Sequence, residues 1–455
     1  MKNKIVLFLT GCLTLLLPSC LGSDSEYELD LVPDSQISSF RLSHDSIPVL
    51  SSTKFIIDQI NGRIFNHDSL PYGTKVEEVV ATIEYSTTIG VSSIKVMQSA
   101  VNDSLTIWNG TDSLNFSDKV LMVVTAFNGI NTKEYTAQVN IHQVVPDSMV
   151  WNNIASLTSA EERKVIPVVD GGNEYFYMYL ANGGAYKLER ALVSNPTAWT
   201  SVDVNGLPSG QLILSQIVDY EGTLYAPAKT GELYRSTNGA DWSAVSNAPS
   251  IVSILGIVKE ETVARRPSAL AAIINKNGSL HFASLNKDGE WIEGNVIHNG
   301  FPISGFGAIS HNSMFREHLL LVGGRNAENT LVNTAWATMD GRSWAVIKES
   351  SSTSFEASEG LSVVEYDDAL FLVGGVDSSG KAYKDIYLSK DRGITWTKTS
   401  SLVLMPDEFK ARAFASAIVD KNTNNLFLFG GKERNSGNDL GDLWVGRINR
   451  LGFEK

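Results

Sequence analysis

Three arginines, Arg325, Arg412 and Arg434, are the side chains of this 455-residue chain best suited to hold an anion. A planar guanidinium matches the two oxygens of a carboxylate or the face of a sulfate. Glu359 and Asp377 are the carboxylates a hydrolase or lyase would draw on, and they could equally do no more than neutralise those arginines at a solvated rim. Gln216, Phe306, Asn326 and Lys432 complete the candidate binding set. No residue pattern calls for a cofactor. His281, His298, His311 and His318, and separately His44, His67 and Asp68, lack the spacing of a metal site and read as loop or surface residues.

These residues need a scaffold, and composition bounds it. Apolar residues make up 43% and charged ones 19%, the ordinary balance of a folded protein. A formal charge of −13 argues against nucleic acid and against an anionic membrane surface as partners. Lys2 and Lys4 precede an apolar run from Ile5 to Leu17, too short for a stable membrane span, so residues 1–19 read as an export signal. Leu17-Pro18-Ser19-Cys20 resembles a bacterial lipobox, which implies acylation of Cys20 and contact with the membrane through that lipid alone. Leu9-Thr10-Gly11-Cys12 has the same look, but too few apolar residues precede it. With Cys12 and Cys20 the only cysteines, nothing downstream can form a disulfide. Residues 20–36 are a small, acidic tether. It resembles that of Bacteroidetes outer-membrane lipoproteins displayed on the cell surface.

From 37 to 145, strand-like runs alternate with turn signals. Ser38–Leu42, Lys54–Gln59, Glu78–Tyr85, Val91–Gln98, Val120–Phe127 and Lys133–Ile141 read as strands, with Asn61-Gly62 and Asn128-Gly129 as turns. The final pair resembles the closing hairpin of Ig-like or cadherin-like β-sandwiches, and its Tyr135 is expected to pack across the sandwich end. The role expected of this domain is that of a spacer.

Residues 146–455 are repetitive. Tryptophans recur at 151, 199, 242, 291, 344 and 396, with intervals of 43 to 53 residues. Ahead of five of them stand Tyr186, Tyr234, Phe282, Trp336 and Tyr387; a sixth such aromatic, Trp444, has no tryptophan after it. The unmatched Trp151 lies at the other end. Each repeat therefore reads as four strands, and Met149–Ala155 is expected to complete a sixth repeat begun by Ala413–Val419, Leu426–Phe429 and Leu443–Arg447. The expected architecture is all-β: an N-terminal β-sandwich, then a six-bladed β-propeller closed by strands from both ends.

Ser389, Asp391, Gly393 and Trp396 fit S-x-D-x-G-x-x-W, which resembles the Asp-box hairpin of β-propellers. Partial copies end at Trp242, Trp291 and Trp344. Leu319–Gly324, Leu370–Gly375 and Leu426–Gly431 each end in Gly-Gly and resemble kelch repeats. The whole resembles uncharacterised Bacteroidetes lipoproteins that join a small sandwich to such a propeller, a group with no settled activity. Because the tryptophans recur once per repeat, packing between blades accounts for them better than sugar stacking. A sialidase needs an arginine motif near the first inner strand, which instead reads Lys164-Val165-Ile166-Pro167-Val168-Val169, and no Tyr–Glu pair can be assigned. A kelch-type copper oxidase needs a cysteine the domain lacks. The leading expectation is a non-catalytic lipoprotein that binds a glycan or a protein on one propeller face. The alternatives are a divergent glycoside hydrolase or lyase on the same face, and an assembly subunit docked on an outer-membrane partner.

Overall fold

Alternating burial along Val120–Ala126 (in, part, in, part) shows how the N-terminal unit is built, with one face of a strand to the core and the other towards solvent. The computed structural model describes residues 32–313, 315–351, 354–433 and 437–450. The export signal, Cys20, most of the tether and Arg434 lie outside the described residues. The chain divides into two units, one ending at Val145 and the other starting at Pro146.

Among the described residues, the first unit has two sheets. One pairs Ile37–Ser43 with Val80–Tyr85; the other has the order 55–58, 63–66, 132–138, 120–126, 91–98, 106–107. Phe40, Leu42, Ile94, Val96, Met122 and Val124 fill the space between them. Tyr135 is fully buried, and its hydroxyl accepts from Ile37 N–H (3.1 Å) and donates to Gln59 Oε1 (2.6 Å), which ties the end of the first sheet to the second. Arg63–Asn66, not anticipated as a strand, pairs in parallel with residues 136–138. Gly62 explains the approach: a Cβ at its φ of 62° would collide with the Glu134 carbonyl, and Thr136 N–H donates to the Gly62 carbonyl at 2.7 Å.

The second unit is a propeller of six four-stranded sheets among the described residues. Its inner strands are Glu162–Asp170, Val218–Tyr220, Ile251–Val258, Gly307–Ser313, Glu359–Tyr366 and Ser416–Asp420, one per blade. The recurrent aromatics occupy third strands, and the tryptophans begin or precede the fourth, except Trp151, which lies within it. In the sixth blade Asp442–Ile448 pairs antiparallel with Met149–Ser156. Gly446 stands opposite Trp151, where a Cβ would come within 2.6 Å of the indole.

The Asp-box turns work as local clamps. Asp391 accepts from Thr395 N–H (2.8 Å), Ser389 Oγ accepts from Gly393 N–H (2.7 Å), and Trp396 Nε1–H donates to the Gly393 carbonyl (3.0 Å). Gly393, at φ 100°, lies against Leu320 and Ile347 of the preceding blade. Trp242, Trp344 and Trp396 are buried in clusters shared by adjacent blades, whereas Trp199 and Trp291 are half-buried, so packing between blades is uneven around the ring.

One boundary differs from the sequence reading. The sixth inner strand starts at Ser416, not Ala413, because Ala413 bridges to Lys432 and Phe414 has a φ of 59°, which breaks the extended ladder.

Trp151 is 8% exposed and packs with Trp444, Phe371 and Phe409. Trp151→Ala is expected to lower unfolding free energy by about 3–5 kcal/mol, the range for emptying a buried aromatic site, and the half-buried Trp199→Ala by clearly less. Equal losses in chemical denaturation would show that the sixth blade does not depend on its N-terminal strand.

Candidate functional site

The six inner strands enclose a central channel, a cavity of ≈ 320 Å³ that every blade lines. Side chains stitch its wall. Gln216 donates to Ser253 Oγ and accepts from Ile254 N–H, both at 2.9 Å, and so joins the second and third blades. Ser310 donates to the Ile257 carbonyl, Ser362 to the Ala415 carbonyl (2.6 Å), and Ser416 accepts from Val165 N–H (2.9 Å). These are hydrogen bonds between edges that would otherwise leave inner-strand groups unpaired.

At one end the channel meets a second cavity of ≈ 250 Å³, lined among others by Glu161, Glu162, Lys229, Phe414, Lys432 and Leu212. Arg163, Ser215 and Phe414 line both, so the two spaces adjoin. Phe414 is 39% exposed, and its N–H donates to the Gly360 carbonyl at 2.8 Å. A bulky residue at positive φ carries about 1–3 kcal/mol of strain. Neighbouring bonds hold it there, with the ring presented to the mouth.

The anion-binding residues anticipated from sequence are dispersed. Arg325 is clamped by Glu359, with Nε to Oε2 at 3.1 Å and Nη2 to Oε1 at 2.5 Å, and it also donates to the Asn329 carbonyl. Asn326 is buried and accepts from Glu328 and Thr330 N–H, which shapes its own loop. Asp377 accepts from Ser379 and Lys381 N–H and from the Tyr383 hydroxyl (2.7 Å), and these bonds hold its carboxyl well below the usual range despite some desolvation. Phe306 and Gln216 line the channel wall, and Lys432 lines the mouth. Arg412 is 1% exposed. Its partner is neither Glu359 nor Asp377 but Asp442, to which Nη2 donates at 3.0 Å; it also donates to the Lys410 and Gly430 carbonyls and lies 4.0 Å from the Phe409 ring centre.

Sequence reasoning overlooked Arg163 and Lys164, adjacent on the first inner strand. Arg163 grips Asp439 of the sixth blade through both oxygens, at 2.6 and 2.8 Å. Lys164 lines the channel and has no acidic partner among the described residues; burial pushes its pKa down to about 8. Two consecutive basic residues at the start of an inner strand were the available signal. The histidines form no metal-holding group among the described residues.

A family model described as the DUF6242 beta propeller domain matches residues 145–455, and one described as the DUF6242 N-terminal domain of unknown function matches residues 34–139. No curated protein matches the chain. Among solved structures, YjhT is similar at 13% identity and a TM-score of 0.44, covering 66% of this chain and 99% of that one. The Aleuria aurantia lectin in complex with alpha-methyl-L-fucoside is similar at 14% identity and a TM-score of 0.40, covering 66% and 98%.

The surroundings of Arg412 generate a stability test. Arg412→Met leaves Asp442 without its guanidinium and is expected to cost about 3–5 kcal/mol in denaturant melts, the usual penalty for breaking a buried pair. Arg325→Met, at a pair about a quarter exposed on both sides, should cost less than Arg412→Met.

Proposed function

We propose a function from one premise, that this chain belongs to the DUF6242 family, whose matched domains cover both of its units. The protein is a surface-displayed lipoprotein that binds a glycan, without catalysis, at the propeller mouth. The observation that carries this reading is Phe414, an exposed ring held at a φ of 59° in a concave mouth that also presents Lys432, Lys229, Glu161 and Glu162. An aromatic face suits the C–H face of a sugar ring, and mixed charged groups around it can donate to and accept from hydroxyls. A pocket of this size takes a sugar ring or a single side chain and not the broad patch of a folded partner.

Glu359, the carboxylate that a hydrolase on this face would most readily use, is held by Arg325 in a two-bond pair, which favours binding over turnover. Anchoring through Cys20, with the acidic segment after it as a tether and the first unit as spacer, fits a receptor held away from the membrane.

The test is a glycan array read beside a turnover assay. Glycan binding reduced at least tenfold by Phe414→Ala, without product, is the expected result, and binding indifferent to Phe414→Ala and Lys432→Ala would overturn the mouth as the site. Product formation would replace the binding reading with an enzymatic one. For the anchor, Cys20→Ala should release the protein from membranes after a salt wash, and protease shaving of intact cells should remove the wild-type chain.

A further inference from the structure

The channel beneath the mouth contains a charge that the fold leaves uncompensated. No carboxylate belongs to the channel lining among the described residues, and its two basic residues differ in kind. Arg163 is neutralised by Asp439, whereas Lys164 has no ion-pair partner there. Lys164 alternates along its strand with Val165, so it points away from the first–sixth blade contact that Arg163 and Val165 serve. On that side the first inner strand packs against the helical turn Leu214–Gln216 of the second blade. Within this turn Gln216 is occupied by Ser253 and Ile254, but the exposed Ser215 lines both channel and mouth and its hydroxyl has no partner among the described residues.

The remaining polar groups of the wall are already committed: Ser310, Ser362 and Ser416 all bond across blade seams. On the adjacent strand Tyr179, directly opposite Lys164, donates to the Gly239 carbonyl, and Tyr177 donates to Asp170. An ammonium in a narrow, partly desolvated space gains more from a charged acceptor than it would in bulk water, and a charge-assisted bond there is roughly twice as strong as a neutral one.

We infer that the channel is a carboxylate site, in which Lys164 and the Ser215 hydroxyl receive the carboxylate of an acidic ligand such as a uronic acid whose ring sits in the mouth. This deepens the glycan reading and rests on it for the ring, but not for the carboxylate. One positive charge matches a singly charged anion. Two donors match its two oxygens, whereas a sulfate ester would bring three oxygens to the same pair. Phe414 and Ser215, which line both cavities, are placed to touch ring and carboxylate of one molecule.

Calorimetric titration of the full chain with glucuronate, glucose, acetate and acetamide separates the possibilities. Glucuronate is expected to bind at least tenfold tighter than glucose, and acetate to bind where its neutral isostere acetamide does not. Lys164→Met should abolish both preferences while leaving glucose binding intact, and Lys164→Arg should retain part of them. Acetate binding that depends on Lys164, with neither sugar bound, would support the channel site and overturn the mouth. Both sugars binding equally, unaffected by Lys164→Met, would support the mouth and overturn the channel, and silence from all four probes overturns both. Should Lys164→Met fail to fold, the wild-type comparison of acetate with acetamide, repeated in Ser215→Ala, decides the question.

Discussion

Closure of the ring is the constraint on which the rest of the propeller depends. An open array of blades would present an inner and an outer sheet edge, each a row of unpaired N–H and C=O groups. Here Asp442–Ile448 takes Met149–Ser156 as its neighbour from Met149↔Ile448 to Asp442↔Ser156, so the sixth blade gains the fourth strand that every other blade has. Two ion pairs reinforce the same junction from inside. Arg163 holds Asp439 between the first and sixth blades, and Arg412 holds Asp442 at the start of the strand that receives the N-terminal segment. Neither pair needs to add much net stability, given the cost of desolvating both charges. Their geometry fixes the N-terminal end of the closing strand, through Asp439 just ahead of it and Asp442 at its first residue.

The same closure creates the candidate site. All six blades line the channel, and Phe414, which breaks the extended ladder just before the sixth inner strand starts at Ser416, lines both channel and mouth. The candidate site thus lies where the blade repeat is least regular. Regular positions are spent on packing: the Asp-box tryptophans lie in blade contacts, and the paired glycines let chain ends pass close to neighbouring backbone, as at Gly374 beneath the Arg412 carbonyl. What remains for the proposed recognition is the set of residues that break the pattern, namely Phe414, Lys164 and Lys432.

This division also explains what could be read from the sequence. Spacing of Trp151 through Trp396 against Tyr186 through Trp444 carried the blade count and the shared sixth blade, because each blade must repeat the same packing. The site did not repeat and left no period. Arg412 and Arg325 were visible as arginines, but their partners Asp442 and Glu359 lie 30 and 34 positions away, and only the folded ring brings them together. Phe414 gave no signal, since nothing about a phenylalanine announces a positive φ. Lys164 was read as the absence of an arginine motif. In the N-terminal unit the strong hairpin signals pointed to antiparallel neighbours, while the parallel pairing of Arg63–Asn66 depends on Gly62 fitting against Glu134.

A ring sealed by its first strand also sets a schedule. Synthesis delivers Met149–Ser156 well before its partner, with Ser148 and Asn449 as much as 301 residues apart in the chain. Until then one strand waits without a ladder, and contacts of such long sequence separation form slowly. Intermediate lengths cannot settle into a smaller ring, because the sixth blade lacks its outer strand until both ends are present. The propeller therefore carries a test of its own completeness. A chain cut short before Asp442 retains two open edges, the features that proteases and aggregation find first.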